Sequence, residues 1–388
     1  MSESKYAQRG VSAGKEEVHL AIRGLDKGLF PNAFCKILPD FAAGDPGFVN
    51  LMHADTAGTK TALAYLYWKE TGDLSVWEGI VQDSLVMNLD DMAAAGMCND
   101  FVVSSTIGRN KQLIDGQVLT ALIQAQQSFA ERMEALGIRI HLAGGETADV
   151  GDIVRTVDVG FTAFGRMPRH NVVDMRIQDG DVVIGLSSSG QASYEDRHNS
   201  GIGCNGLTFA RHETLLKAYA DKYPETYDPS LPEGVVYTGG LFLTDPWEGS
   251  PLNVGQMLLS PTRTYLPFIK TLLESLRPQI HGIVHCTGGG LTKVLHFIDD
   301  LTVYKGNPLP VPPVFQMIQQ QTNTPWREMY QVFNMGQRLE VYLPKEYAHE
   351  VIAMGKSFSI DSQLIGVCKK GKKQVVIDSP QGEFVFGG

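Results

Sequence analysis

The chain has 388 residues, 43% of them hydrophobic and 20% charged, and at ~150 residues per domain this is enough for two domains with their own cores. That balance excludes a disordered or collagen-like chain. Lys+Arg total 33 against Asp+Glu 43, a formal charge of −10 without any basic block, which argues against nucleic acid as a partner. An anionic ligand held by backbone amides and a few placed cations stays compatible.

Taken in chain order, the opening MSESKYAQRG is polar and lacks the apolar stretch of a secretory signal. Gly10-Val11-Ser12-Ala13-Gly14-Lys15 falls one residue short of a phosphate-binding G-x-x-x-x-G-K loop. The apolar run Phe48, Val49, Leu51, Met52 then leads into His53-Ala54-Asp55-Thr56-Ala57-Gly58-Thr59-Lys60, followed by a helix-like run. A carboxylate, a glycine and a lysine at a strand end suit a nucleotide: Asp55 for a cation, Gly58 for close backbone approach, Lys60 for phosphate. An ordinary capped turn is the alternative.

Glu78 to Ala95 reads as a helix stopped by Gly96. It carries Asp83, Asp90 and Asp91 among apolar residues, and at about 100° per residue Asp83 and Asp91 lie about 80° apart. Hard-oxygen ligands of this kind suit Mg²⁺, the alternative being a solvated acidic face. A second helix runs from an Asp115 N-cap to a Gly137 stop, with Val118, Leu122, Ala125, Phe129, Met133 and Leu136 at steps of three or four. Ile138, Ile140 and Leu142 alternate as a strand entering a loop, Gly144-Gly145-Glu146-Thr147, and Val157, Val159, Phe161 and Ala163 mark another strand.

The polar stretch Arg166–Asp181 places a domain boundary, giving domains 1–168 and 169–388. The second half repeats a strand, glycine-loop, helix style at Val182–Gly190, at Ile280–Gly290 and at its end, so the fold class is α/β (α+β). Asp221 to Gly249 is rich in turn formers and reads as a surface excursion. His285 precedes Thr287-Gly288-Gly289-Gly290, whose amides suit an anion, with a helix expected from Leu291. The uncharged stretch between Lys305 and Arg327 holds Pro308, Pro310, Pro312 and Pro313 and is no membrane span. Five widely spaced cysteines without C-x-x-C suggest reduced thiols, and a soluble cytoplasmic protein without a membrane partner is expected. Signatures of serine hydrolases, zinc peptidases and dinucleotide-binding enzymes are absent, and the remaining histidines (19, 53, 141, 170, 198, 212, 281, 296, 349) show no ligand spacing.

In combination, the segments resemble the aminoimidazole ribonucleotide (AIR) synthetase family, the phosphoribosylformylglycinamidine cyclo-ligases. The similarity begins at Tyr6-Ala7-Gln8-Arg9-Gly10-Val11 and continues through Asp55–Lys60, Asp83–Asp91 and Leu142–Ala148. In the second half it follows Ser188-Ser189-Gly190, Asn205-Gly206-Leu207, Leu259–Tyr265, His285–Gly290 and Glu328–Gly336. The resemblance implies a two-domain fold, with an N-terminal domain that forms a β-barrel across a homodimer and a C-terminal α/β domain. It implies ATP-dependent ring closure of formylglycinamidine ribonucleotide in purine biosynthesis, with ATP and Mg²⁺ as cofactors. On that basis Asp55, Asp91 and Glu146 are assigned to Mg²⁺–ATP, Gly58, Thr59 and Lys60 to the phosphates, and Gly144 and Gly145 to nucleotide contact. Asn205, Thr287, Gly288 and Gly289 are assigned to the ribonucleotide, and Lys60, Asp91 and His285 to catalysis, His285 as a proton carrier.

Some positions depart from the family pattern. Thr56 replaces a glycine, Asp90 an asparagine, Gln191–Cys204 is an inserted segment, and Gln337-Arg338 stands where small or apolar residues are usual. These leave two alternatives: another ATP-dependent amide- or carboxyl-activating enzyme with a different acceptor, or a non-catalytic nucleotide-binding dimer.

Overall fold

Two β-sheets, drawn from successive halves of the chain, frame one long buried helix. The computed structural model describes Arg9, Leu20, Ala21 and residues 23–387; the Gly10–Lys15 stretch and most of the Tyr6–Val11 motif lie outside the described residues. The first sheet holds β1 (Ile37–Pro39), β2 (Phe48–Thr56), β3 (Phe101–Arg109), β4 (Ile140–Asp149) and β5 (Val157–Pro168) in the order β1-β2-β5-β3-β4. Only β3 and β4 run parallel. Period-two patterning shows in β3, where Phe101, Val103, Ser105 and Ile107 are buried and Val102, Ser104 and Thr106 are exposed. On the open face or its margin, Phe41 is 67% and Met52 58% exposed.

Among the described residues this half holds the helices α1 (Lys60–Thr71), α2 (Val76–Ala94) and α3 (Gly116–Ala135). Asp115 caps α3 by accepting from the Gln117 and Val118 amides, as its sequence predicts. Helix α2 is buried on nearly every side, including Asp83, Asn88 and Asp90. Its carboxylates are therefore not a solvated acidic face, because α2 is covered on both flanks.

The second sheet holds β6 (Val182–Ser187), β7 (Gly282–His285), β8 (Leu301–Lys305), β9 (Gln337–Leu343), β10 (Ser362–Lys370), β11 (Gln374–Ser379) and β12 (Gly382–Gly387). Their order is β12-β11-β8-β10-β6-β9-β7, and β8–β11 is the one parallel pair. Strands β6 and β9 are buried at every position, as expected of strands covered on both faces. Helices α4 (Leu207–Thr214), α5 (Leu266–Leu276) and α6 (Ala348–Ser357) pack in this half, and α2 touches α5 and β7 as well as β2 and β5. It is the element both halves share. Between Lys222 and Val254 the described chain has two 3₁₀ turns and no longer element, yet it is no surface excursion, because Val236, Tyr237 and Leu243 are buried in the core.

Two further expectations are corrected. The Gly144–Thr147 stretch is no loop: β4 runs on to Asp149 paired with β3, and the register slips where Ser104 alone faces Ala143 and Gly144. Gly144 takes the positive φ of +83° that this bulge needs. The turn after the Thr287–Gly289 loop is a 3₁₀ helix, Gly290–His296, rather than an α-helix. All five cysteines are free thiols, and burial pushes each thiol above its ordinary pKa. Among the described residues no helix is long and apolar enough to cross a membrane.

A Cβ at Gly145 would sit 2.2 Å from Ser105 Oγ and 2.3 Å from the Ser105 carbonyl oxygen. The Gly145→Ala variant is expected to force β3 and β4 apart and to lose about 1–3 kcal/mol, read from its urea unfolding midpoint.

Candidate active site

Strand β2 ends at Thr56, and the turn Ala57–Thr59 starts α1. The Asp55 carboxylate accepts from the Thr56 amide at 2.7 Å and remains exposed. Gly58 has φ +59° and donates its amide to Thr56 Oγ1. Thr59 Oγ1 lies 2.6 Å from Thr208 Oγ1 on α4, which places this turn at the cleft between the two halves.

Lys60 is placed differently from the sequence expectation. It is 0% exposed, and its Nζ donates to Asp83 at 2.9 Å and to the Ser260 carbonyl at 2.7 Å. Asp83 Oδ1 also accepts from the Thr262 amide and hydroxyl, both at 2.7 Å. The amine is thus spent inside the fold, in a pair that ties α1 and α2 to the 260–262 segment, and it offers no charge at the cleft.

Along α2, Asp90 is buried and accepts from Thr264 Oγ1 and the Tyr265 amide, both at 2.6 Å. Burial pushes its pKa up to about 7 against the pull of those two donors. Asp91 is half-buried. Its Oδ1 accepts from His285 Nδ1 at 2.7 Å, and its Oδ2 is 3.7 Å from His53 Nε2. His53 Nδ1 lies 3.0 Å from Asn88 Oδ1, and Asn88 reaches the Asp55 carbonyl at 3.5 Å, so the end of β2 and this turn of α2 form one group.

His285 ends β7, fully buried. Arg338, from the neighbouring strand β9, donates its Nε to His285 Nε2 at 3.1 Å. Both ring nitrogens are therefore engaged, and burial lowers the ring's pKa. The expected proton carrier has no free nitrogen. Beyond it, Thr287-Gly288-Gly289 turns tightly, with Gly289 at φ +92°. Among the described residues the Gly288 and Gly289 amides donate to no backbone or side-chain acceptor. A Cβ at Gly288 would lie 3.5 Å from Asn205 Nδ2, so the two predicted ribonucleotide segments adjoin. The Asn205 Oδ1 is buried with no hydrogen-bond partner. A buried orphan acceptor beside two free amides is a site for a polar ligand.

Glu146 does not join this group within one chain. Thr56, Gly160, Thr106 and Glu146 form one transverse row of the first sheet, and three strand spacings separate Thr56 from Glu146 by about 14 Å. Among the described residues no three His, Cys, Asp or Glu side chains converge as a metal ligand set. Asp55 and Asp91 are the hard-oxygen donors on the cleft side, which fits Mg²⁺ held by few carboxylates, water and substrate phosphates.

The inserted segment Gln191–Cys204 is firmly anchored. Glu195 takes two hydrogen bonds from buried Arg263, at 3.0 and 2.6 Å, and Arg263 also donates to the Ser187 and Ser189 carbonyls. Asn199 reaches the Pro261 carbonyl, and Asn334 holds the Gly201 and Ile202 carbonyls. A cavity of about 160 Å³ between α2, α3 and this segment is lined by Gln82, Phe129, Arg132, Tyr194 and Asp196 and by none of the residues assigned to ligands. The orphan acceptor of Asn205 and the carboxylates of Asp55 and Asp91 lie outside that cavity.

Two participants escaped the sequence reading. His53 shows no ligand spacing with the other histidines, although its position two residues before Asp55 on the same strand is a usable signal. Thr208 carried no signal, because only the tertiary fold brings α4 against Thr59.

Comparison with known proteins identifies the family. Residues 41–167 match the N-terminal domain, and residues 178–379 the C-terminal domain, of the family described as AIR synthase related protein. The chain belongs to that family. It is 31% identical over 232 residues to the phosphoribosylformylglycinamidine cyclo-ligase of Methanocaldococcus jannaschii, covering 58% of this chain and 56% of that enzyme. The enzyme of that name from Methanopyrus kandleri is 30% identical, with 61% and 59% covered. These two matches thus span less than two thirds of those relatives. The Thermococcus kodakarensis enzyme is 29% identical over 364 residues, 90% of this chain and 91% of the relative. Similar folds occur in the HypE–HypF complex, with a TM-score of 0.56, 14% identity and coverage of 96% and 99%. They occur also in T. maritima PurL complexed with FGAR, with a TM-score of 0.53, 13% identity and coverage of 96% and 49%.

Two measurements follow from these burials. The Lys60→Met variant strands the Asp83 charge and should cost about 3–5 kcal/mol of stability in urea; a lysine that served phosphate would instead leave stability intact and weaken nucleotide binding. Because the folded pKa of Asp90 lies above its unfolded value, the folded state binds the extra proton between about pH 4 and 7. In EDTA, stability contributed there falls as pH rises through that window, and Asp90→Asn should remove that part of the slope in urea midpoints at pH 4.5 and 7.5.

Proposed function

We propose that this chain catalyses the ATP-dependent closure of formylglycinamidine ribonucleotide to 5-aminoimidazole ribonucleotide, releasing ADP and phosphate. The observation that carries the reading is that contacts between the two halves of the chain, Thr59 to Thr208 and Asp91 to His285, lie close in sequence to Asn205 and Gly288, which adjoin one another. Support comes from the relatives' name, and from T. maritima PurL, a protein of similar fold whose structure is complexed with FGAR.

An amide oxygen is a poor leaving group until it is phosphorylated. Ring closure is then intramolecular, so the protein's tasks are alignment and charge neutralisation. Magnesium, when bound, supplies positive charge to the transferring phosphoryl group. Asp91, through Oδ2, and Asp55 would hold it, and the turn at Gly58 and Thr59 would pass close to the triphosphate. The free Gly288 and Gly289 amides and Thr287 suit the substrate phosphate, and Asn205 Oδ1 suits an N–H or hydroxyl donor on the ribonucleotide. Nothing in this scheme needs a nucleophilic serine or cysteine.

Glu146 and the Gly144–Gly145 bulge lie on the far strand, so a part for them at a nucleotide site requires a second copy. We assign the open face of the first sheet, with Met52 and Val102 exposed on it, to a homodimer in which the two sheets close on one another. A second reading, an enzyme of the same chemistry with another acceptor, has one observation in its favour. The inserted segment ends at Cys204, directly beside Asn205.

The test follows ADP and imidazole together, with formylglycinamidine ribonucleotide and Mg²⁺–ATP supplied. One ADP per imidazole is expected, and Asp91→Asn should lower kcat by about 100-fold while the melting transition stays in place. ADP without imidazole would move the assignment to another acceptor, and ATP binding without ADP to a non-catalytic role.

A further inference from the structure

The buried guanidinium of Arg338 has an unusual partner. Among the described residues it makes no ion pair with a carboxylate. Its Nε donates to His285 Nε2, and its Nη2 lies 3.8 Å from Met87 Sδ. The inserted segment leaves room for it: a Cβ at Gly203 would fall 2.0 Å from Nη1, and Gly203 has φ +73°. A buried cation directed at an imidazole nitrogen instead of a carboxylate costs desolvation that ordinary packing does not require.

An arginine Nε can only donate, so His285 Nε2 must be the acceptor. The ring proton is then on Nδ1, facing Asp91 Oδ1 at 2.7 Å. We propose that Arg338 is a positioning residue that holds His285 in the Nδ1–H tautomer, so that His285 donates to Asp91 Oδ1 and turns Oδ2 toward the cleft. This rests on the reading that Asp91 binds the metal of Mg²⁺–ATP. It is the arrangement by which an outer hydrogen bond orients a metal-binding group, extended here by one further residue. His285 is then a link between a fixed charge and a carboxylate, and it carries no proton during turnover.

Glutamine places its Nε2 at the same distance along the side chain as arginine Nε, and methionine places a methyl group there. Arg338→Gln therefore keeps the donor, and Arg338→Met removes it. The full chain labelled with ¹⁵N-histidine, with His285 assigned by its loss in His285→Gln, is examined by long-range proton–nitrogen NMR. In the wild type and Arg338→Gln, Nδ1 should appear protonated and Nε2 unprotonated; in Arg338→Met the two forms should mix or reverse. A wild-type spectrum with the proton on Nε2 overturns the proposal even if Arg338→Met fails to fold, as does a folded Arg338→Met with an unchanged spectrum. The apparent Mg²⁺ half-saturation of ATP turnover should rise about 10–100-fold in Arg338→Met, with KM for the acceptor unchanged and near wild-type behaviour in Arg338→Gln. A shift in acceptor KM alone would count against it. The spectra remain readable if the cyclo-ligase activity itself is absent, so the two failures are distinct.

Discussion

The architecture depends on a pair of charges with no access to water. Lys60 and Asp83 meet where α1, α2 and the 260–262 segment converge, and the carboxylate is compensated by an ammonium, an amide and a hydroxyl together. Such a pair is tolerable when donors and acceptors surround it, and here they come from both halves of the chain, with Asp83 Oδ2 left facing only the Lys60 ammonium at 2.8 Å. Seven residues along α2, almost two full turns, Asp90 grips Thr264 and Tyr265 on the same face. Two carboxylates thus fasten one helix face to one extended segment. The rotation of α2 is set, and Asp91, about 100° further round, is delivered to the cleft.

Most of the architecture was readable because periodicity and capping speak locally. Asp115 and the stripe behind it place α3, and alternation places the start of β4 and β5. What could not be read was whether a polar residue faces water or another element. Asp83 and Asp90 look on paper like a solvated face, and Lys60 like a phosphate ligand, because a sequence records charge and spacing but not what covers them. The Gly144-Gly145 dipeptide shows the same limit. Two glycines indicate close backbone approach, yet only the pairing partner decides that the approach is to Ser105 and that the segment is a bulged strand. Within the site, Asp91, His285, Asn205 and Gly288 could be named from motif order, whereas His53 and Thr208 enter through contacts that bridge distant parts of the chain.

Three positions singled out in the sequence come together. Asp90 is buried on α2 next to Asp91, Arg338 lies against the histidine that Asp91 binds, and Gly203 of the inserted segment leaves space for the guanidinium. Burial acts against the Asp90 anion, and the positive field of Arg338 acts in its favour. An acid and a base in one low-dielectric region offset one another, and each would be harder to accommodate alone.

Cys204 adjoins Asn205 at the cleft, and burial pushes its thiol up to about 12. At neutral pH its sulfur is a small apolar atom and not a thiolate. Its sulfur lies 3.8 Å from Thr262 Oγ1, so an electrophile brought to the proposed ribonucleotide site would meet no nucleophile there. Covalent inhibitors aimed at this cleft would therefore react slowly or elsewhere, and selective ligands must rely on shape and on the charges of Asp55 and Asp91.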